Sequence, residues 1–406
     1  MVSLSLIVAF MVRFLSTSYS YTHDYINSFA YTEFLINFQG GFVRRGLLGE
    51  ILYQIYTIFP YSLWWVITIL SYAAFVFVLL FFIKQFKKNN YCWWIIFSPL
   101  FLGMTAFIVR KDFILYTLLI GCLFLLRNSS DSLLKRVLAC LLIVLGLFLH
   151  EAFIFFGFPI YAMVLLSFKN KRTINYTLIL IPILIFLILC KFKGNYETAV
   201  AIVNSWNNIV PGTPLEYNYD NSIGAIGWES IPTFIFHIRI NANLIDGGVG
   251  IIMLPVSIIA IYYLVTNFLI TFNQKNQANS ATVKQALSLL YSFAIICLFP
   301  MFTILSCDTG RVVQYSTVTT FATLFILSPQ TVIKLFPKWY NKSITYINNK
   351  IYEFLRPSKG LLIIMLLFLG MAPFYFSLLM CWRYSIIGTL FENFISIILW
   401  LAHLFL

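Results

Sequence analysis

Charge is what this sequence has least of. Asp, Glu, Lys and Arg together make up 10% of 406 residues, and only 14 of them are acids against 27 bases. A soluble domain cannot wet its surface with so few charges, and a mean hydropathy of +0.88 with 61% hydrophobic residues excludes that class. Paired cysteines are missing too. The seven cysteines lie in or beside apolar runs with no C-x-x-C pair and no His at ligand spacing, which argues against a metal site or a disulfide framework. A linker rich in Gly, Ser or Pro and a repeat of fixed period are also lacking, so one integral membrane domain over 1–406 is expected. The first apolar run has neither a basic leader nor a small-residue cleavage site, and it is read as an anchoring helix.

What is present in abundance is helix-length apolar sequence. Runs able to cross ~30 Å of hydrocarbon recur at 4–20, 61–83, 91–109, 113–127, 134–150, 153–168, 174–191, 249–272, 285–305, 313–333, 360–381 and 385–405. The expected fold is therefore all-α, a polytopic transmembrane helical bundle of about twelve spans. Lys and Arg then orient it. The connections 84–90, 127–136, 169–175, 273–284 and 334–359 hold 17 of the 27 bases and two acids, Asp131 and Glu353, so they are expected inside. That asymmetry accounts for the net charge of +13 as a topology signal, and no nucleic-acid partner is expected.

On this topology the costly polar residues share the outer face. The first outer loop with its adjoining helix, 21–58, carries Asp24 and the stretch "QGGFVRRGLLGEIL"; "VRKDF" carries Arg110, "FLHEAF" carries His150 and Glu151, and "CDTGRVVQY" carries Asp308 and Arg311. Ionisable groups at a bilayer boundary are expensive unless they face a cavity, so a shared cavity is expected. Behind Gly40 and Gly41 the spacing of Phe42, Leu47, Leu48, Ile51, Leu52 and Ile55 predicts a short amphipathic interfacial helix with Arg44 and Arg45 in its first turn. Two guanidinium forks at a helix N-terminus suit phosphate. Arg44, Arg45, Arg110 and Arg311 are the candidate phosphate ligands; Asp24, His150, Glu151 and Asp308 are candidates for the group that activates an attacking hydroxyl. A large outer loop, 192–248, is rich in Asn, Gly and aromatics, and Trp206 and Trp228 are its candidate sugar-stacking residues.

The stretch 108–161, "IVRKDFILYTLLIGCLFLLRNSSDSLLKRVLACLLIVLGLFLHEAFIFFGFPIY", resembles the core of the EpsG-like and Wzy-type O-antigen or capsular polysaccharide polymerases, in which an Arg opens one helix and a His ends the next at the outer face. Asp24 in the first outer loop is also similar to the acid of the wider GT-C membrane glycosyltransferases. The resemblance implies a bacterial inner-membrane glycosyltransferase whose periplasmic face joins undecaprenyl-diphosphate-linked repeat units. Its implied partners are a polyprenyl-diphosphate-linked glycan, membrane lipid, and a chain-length regulator or flippase of the same pathway. The alternatives are a GT-C transferase moving one sugar from a polyprenyl-phosphate donor and a lipid-linked oligosaccharide flippase. The leaving diphosphate is already ionised, so neither a metal nor another cofactor is expected.

Overall fold

The computed structural model describes residues 7–8, 10–11, 29–60, 62–98, 101, 109–127, 132–207, 221–242, 258–267, 280–306, 309–356, 358, 360–363, 391 and 394–395. Those residues are helical with turns, and no strand occurs among them. The chain divides into two compact units, one of Tyr19–Leu80 and Phe107–Thr233, the other of Met1–Ser18, Phe81–Ala106 and Phe234–Leu406.

In the first unit a short helix, Phe29–Thr32, runs into a 3-10 turn, Glu33–Leu35. Then come α1 (Gly46–Ile58), α2 (Leu63–Lys88, whose last turns belong to the second unit), α3 (Asp112–Arg127), α4 (Leu133–Leu149), α5 (Phe153–Ser167), α6 (Arg172–Lys191) and α7 (Tyr196–Asn207). Short connections make α3 to α6 run up and down, with α4 packed on α3, α5 and α6. Ser132 caps α4 by accepting from the Lys135 N–H, and Gly146 lets α4 and α5 close tightly: a Cβ there would lie 2.2 Å from the Phe153 ring.

At the Ser132 end of these helices Arg136 is fully buried. Its guanidinium donates to Asn175 Oδ1 at 2.7 Å and to the Asn170 carbonyl at 3.1 Å, and lies 4.9 Å from the Phe168 ring centre. Asn175 in turn donates to the Leu165 and Phe168 carbonyls, each at 3.2 Å, so one Arg and one Asn satisfy the open end of α5 and tie it to α4 and α6. That clip leaves the opposite end of the helices, where Val109–Asp112, His150–Glu151 and Cys190–Lys193 lie, to form the site.

The second unit holds most of α8 (Ser230–Ala242), then α9 (Ile258–Asn267), α10 (Ser280–Pro300, continued by a π turn, Met301–Leu305), α11 (Thr309–Ile326), α12 (Pro329–Leu335) and α13 (Lys338–Leu355). Its core is aromatic, with Phe82 4.7 Å from Phe101, Phe86 4.9 Å from Phe325 and Phe101 5.1 Å from Phe321, centre to centre. The buried small hydroxyl residues Ser316, Thr317, Thr320 and Thr323 let α11 approach its neighbours closely.

Among the described residues three helices are long and apolar enough to cross a membrane, Leu63–Lys88, Arg172–Lys191 and Ala281–Leu305, and a fourth crossing is reached if Arg311–Ile326 and Pro329–Leu335, bent by 114°, count as one. Their outward residues suit lipid: Ile69, Phe77 and Leu80 on α2, and Leu180, Leu184 and Leu187 on α6, are exposed and apolar. This is the pattern of an integral membrane protein. The described residues do not reach the expected twelve spans, for a physical reason at three of them. Helices α3, α4 and α5 have 16, 17 and 15 residues. At 1.5 Å per residue they extend about 22–26 Å, short of ~30 Å of hydrocarbon. The expected spans 360–381 and 385–405 lie almost wholly outside the described residues.

Candidate functional site

The site is built on a backbone turn. In "NFQGGF" the Gly41 N–H bonds the Phe38 carbonyl at 2.9 Å, and Gly41 has φ +101°, which a side chain would resist. Gly40 packs on α7, where a Cβ would stand 2.7 Å from the Thr198 carbonyl oxygen. Glu50, one turn into α1, holds the turn by accepting from the Phe38 N–H at 2.8 Å and from the Gln39 side chain at 3.2 Å. Gly49 completes the seat: a Cβ there would meet the Ile36 carbonyl oxygen at 1.9 Å, so α1 lies directly on the backbone of 34–36.

Arg44 and Arg45 leave this turn immediately before α1. The expectation that they occupy its first turn is corrected: α1 begins at Gly46, and Arg45 is its N-cap with φ 66°, in the left-handed region. A non-glycine residue there costs about 1–2 kcal/mol. Contacts on both its backbone and its side chain offset that cost. Lys111 Nζ donates to the Arg45 carbonyl at 2.9 Å, while Arg45 Nε donates to Glu151 Oε2 at 2.7 Å and Arg45 Nη2 donates to Glu151 Oε1. Arg44 Nη1 stands 3.1 Å from the same Oε1, and the Arg44 N–H bonds the Phe192 carbonyl at 2.8 Å. The two arginines thus close on one carboxylate, with Arg44 31% exposed and Glu151 14%.

Electrostatics follow from this packing. Burial alone would raise the Glu151 carboxyl, but Arg45, Arg44 and His150 outweigh it and hold the group well below the ordinary carboxylate range. A carboxylate held so firmly ionised is a weak base, so the structure argues against Glu151 as hydroxyl activator and makes it the orienter of the guanidinium pair. For Arg44, Glu151 acts upward, while burial and the neighbouring Arg45 act downward and prevail. Besides Lys111, a further cation feels Arg44. Burial, then Arg44, lower Lys193 against an upward pull from Glu229, and its Nζ donates to the Trp228 carbonyl and to Ser230 Oγ, each at 2.9 Å.

His150 lies behind Glu151 at the elbow between α4 and α5. Its Nδ1 accepts the Ala152 N–H at 3.1 Å, and its Nε2 is 3.4 Å from Oε1 of Glu33, a residue only 1% exposed. Both ring nitrogens are therefore engaged within the protein, which is the geometry of a latch and not of a base open to substrate.

The remaining described candidates have other neighbours within their own units. Arg110 is half-buried with its guanidinium 5.8 Å from the Phe29 ring centre, and Lys111 beside it is fully buried. Arg311 opens α11 in the second unit, 5.7 Å from the Tyr315 ring centre. Asp24 and Asp308 lie outside the described residues. Trp206 is corrected outright: it is fully buried, donates from Nε1 to the Leu35 carbonyl at 2.7 Å, and meets the Tyr53 and Tyr56 rings edge-on at 5.4 and 6.5 Å. No face remains for a sugar. Trp228 is half-buried and contributes its carbonyl to Lys193. The large outer loop is corrected in the same way, since its described parts fold as α7, a 3-10 turn at Gly224–Ile226 and α8. Ala199, Ile202, Val203, Trp206, Ile223 and Ile226 join one core with Phe34, Ile36, Val43 and Leu52. Sequence reasoning missed Glu33 and Lys193. Glu33 sits in an apolar run and Lys193 at the end of a span, and only the fold brings them to the cluster.

Against known protein-family models, curated proteins and solved structures, the chain shows no match.

Proposed function

We propose that the Arg44–Arg45–Glu151 cluster is a phosphate-binding clamp of a membrane glycosyltransferase that takes a polyprenyl-diphosphate-linked glycan. On this reading the chain is the polymerase that joins O-antigen or capsule repeat units at the periplasmic face of the bacterial inner membrane. A bundle of about twelve spans on this reading would count α3, α4 and α5, at 16, 17 and 15 residues, as short crossings met by local thinning of the bilayer.

The observation that carries the proposal is the convergence of two adjacent guanidinium groups on a single carboxylate, at the ends of apolar helices, with Arg44 still about one-third exposed (31%). A guanidinium fork that grips a carboxylate at two points grips a phosphate by the same geometry. In attack of an acceptor hydroxyl on the anomeric carbon, negative charge grows on the departing diphosphate, and cations already in place stabilise that charge without reorganising. Glu151 keeps both guanidiniums aimed before substrate arrives, and Lys193 adds positive potential beside Arg44. Lys111 holds the backbone of the clamp. The residue that activates the acceptor is to be sought outside the Glu151–His150 pair, and Asp24 and Asp308 stay candidates for it.

The test is the glycan profile of a deletion strain complemented with the wild-type gene or with Arg45→Lys, at matched membrane protein levels. A ladder of polymer lengths that depends on the gene and is lost with Arg45→Lys supports the reading. One added sugar would indicate a single-sugar transferase, and lipid-linked units retained on the inner leaflet would indicate a flippase.

A further inference from the structure

Helix α13, Lys338–Leu355, divides into three faces. Tyr340, Ile344 and Asn348, at successive spacings of four, form its buried stripe. That stripe lies on α10, where the Tyr340 hydroxyl and Ser292 Oγ are 2.9 Å apart, Gln285 reaches Asn341 at 3.5 Å and the Lys284 ammonium stands 4.1 Å from the Tyr352 ring centre.

The remaining surface is not uniform. At about 100° per residue, Trp339 and Tyr346 share one flank with Ile347 and Phe354, which are 68%, 65%, 46% and 86% exposed; Ser343 and Lys350, the latter 6.0 Å from the Tyr346 ring centre and paired with Glu353, lie on the same flank. Lys338, Lys342 and Asn349 share the other flank, all exposed, and Arg356, also exposed, caps the C-terminal end. From Lys334 to Arg356 five bases face one acid, Glu353, which Lys350 already pairs at 2.8 Å. Four large apolar or aromatic side chains in open water would be a heavy liability, whereas aromatics on one side and ammonium groups on the other match the boundary between acyl chains and headgroups. The chain is also directed away from a straight crossing just before, by the 114° bend between α11 and α12.

We infer that α13 lies in the plane of the membrane and binds a leaflet rich in anionic phospholipid, with Trp339, Tyr346, Ile347 and Phe354 in the acyl boundary and Lys338, Lys342 and Arg356 on the phosphates. The occupant is a lipid surface because a mainly apolar flank runs beside a basic one along the helix and, with Lys350 and Glu353 paired, the remaining charge is of one sign. Each base near such a surface adds attraction that salt screens. The inference is independent of the glycosyltransferase reading, since α13 belongs to the second unit and the arginine clamp to the first.

The full chain, reconstituted in vesicles of phosphatidylglycerol and phosphatidylcholine, would carry a photoreactive benzophenone amino acid in place of Trp339, Phe354 or Asn349. Lipid adducts should form several-fold more at Trp339 and Phe354 than at Asn349. Adduct yield should fall several-fold in pure phosphatidylcholine, and likewise for Lys338→Glu/Lys342→Glu in the mixed vesicles. Neither substituted lysine is buried, so an unchanged thermal midpoint in detergent would separate lost lipid binding from misfolding. Equal adducts at all three positions, adducts mainly to protein or to a second copy, or yields indifferent to lipid charge would each overturn the inference.

Discussion

Arg45 and Glu151 lie 106 residues apart in the chain and meet as a two-point fork, Nε on Oε2 at 2.7 Å and Nη2 on Oε1. One end of this contact is a residue in a left-handed backbone conformation and the other is the turn between α4 and α5, so the pair locks the entry of α1 to the helical hairpin. Its chemistry is specific to guanidinium, and that is what makes it testable.

On the proposed polymerase reading, Arg45→Lys should abolish most polymer formation although the charge is kept, because an ammonium cannot span both carboxylate oxygens or both oxygens of a phosphate. Arg44→Lys should be milder, since Arg44 contacts Glu151 through a single nitrogen at 3.1 Å. Glycan profiles at equal protein level give the ranking; wild-type polymer from the Arg45→Lys variant would reduce the pair to a structural bridge.

Glu151→Gln should lower stability by less than the ~3–5 kcal/mol lost on breaking a fully buried pair, because Arg44 keeps solvent contact. The sign of its pH dependence is fixed by the lowered carboxyl. A depressed folded value contributes stability that is fully present above the unfolded value of about 4.3 and is lost as pH falls through the lower, folded one. The gap in thermal midpoint between wild type and Glu151→Gln should therefore be flat from about pH 5 to 8 and shrink only in stronger acid. A gap that already closes between about pH 8 and 6 would mean that the carboxyl is not held down by the arginines.

The sequence carried this much of the architecture because long apolar runs have few other uses: α2, α6 and α10 lie where hydropathy placed spans. Arg44, Arg45, His150 and Glu151 stood out for the same reason, as ions in apolar surroundings. Hydropathy does not register that α3, α4 and α5, though as apolar as the longer helices, are ended by turns after 16, 17 and 15 residues. Nor could it tell a polar loop from 192–248, where Trp206 and Ile226 alternate with Asn and Gly and still fill a core. Glu33 meets His150 and Lys193 meets Trp228 through contacts across more than 30 residues, which no local pattern encodes.

Trp206 now has a core role with a measurable cost. Trp206→Ala should destabilise by about 3–5 kcal/mol, removing the edge-on contacts with Tyr53 and Tyr56 and leaving the Leu35 carbonyl without its indole donor. Trp206→Phe should recover a large part of that loss. Thermal unfolding of both in detergent decides it: a fully stable Trp206→Ala protein with altered glycan affinity would restore the sugar-stacking role.

His150 separates a latch from a base most sharply, because its two nitrogens do different things. Nδ1 accepts the Ala152 N–H at 3.1 Å and Nε2 faces Glu33 at 3.4 Å, so two amide substitutions can each imitate one half. In His150→Asn the amide oxygen stands near the place of Nδ1 and keeps the acceptor for Ala152, while the reach to Glu33 is lost. In His150→Gln the amide nitrogen extends toward Glu33 and the acceptor for Ala152 is lost. If His150 holds the α4–α5 elbow, each variant should keep part of the thermal stability that His150→Ala loses, and polymer yield should rise and fall with the folded fraction. Glu33→Gln should then behave like His150→Asn, since both cut the same contact. If His150 is instead the base, the three His150 variants should fold normally and none should make polymer, because neither an amide nor a methyl group accepts a proton near neutral pH, whereas Glu33→Gln, which keeps the imidazole, should still make it. Full folding with no product across the His150 variants would overturn the latch and return His150 to the chemistry; graded folding with proportional product would leave it as the residue that holds the elbow carrying Glu151.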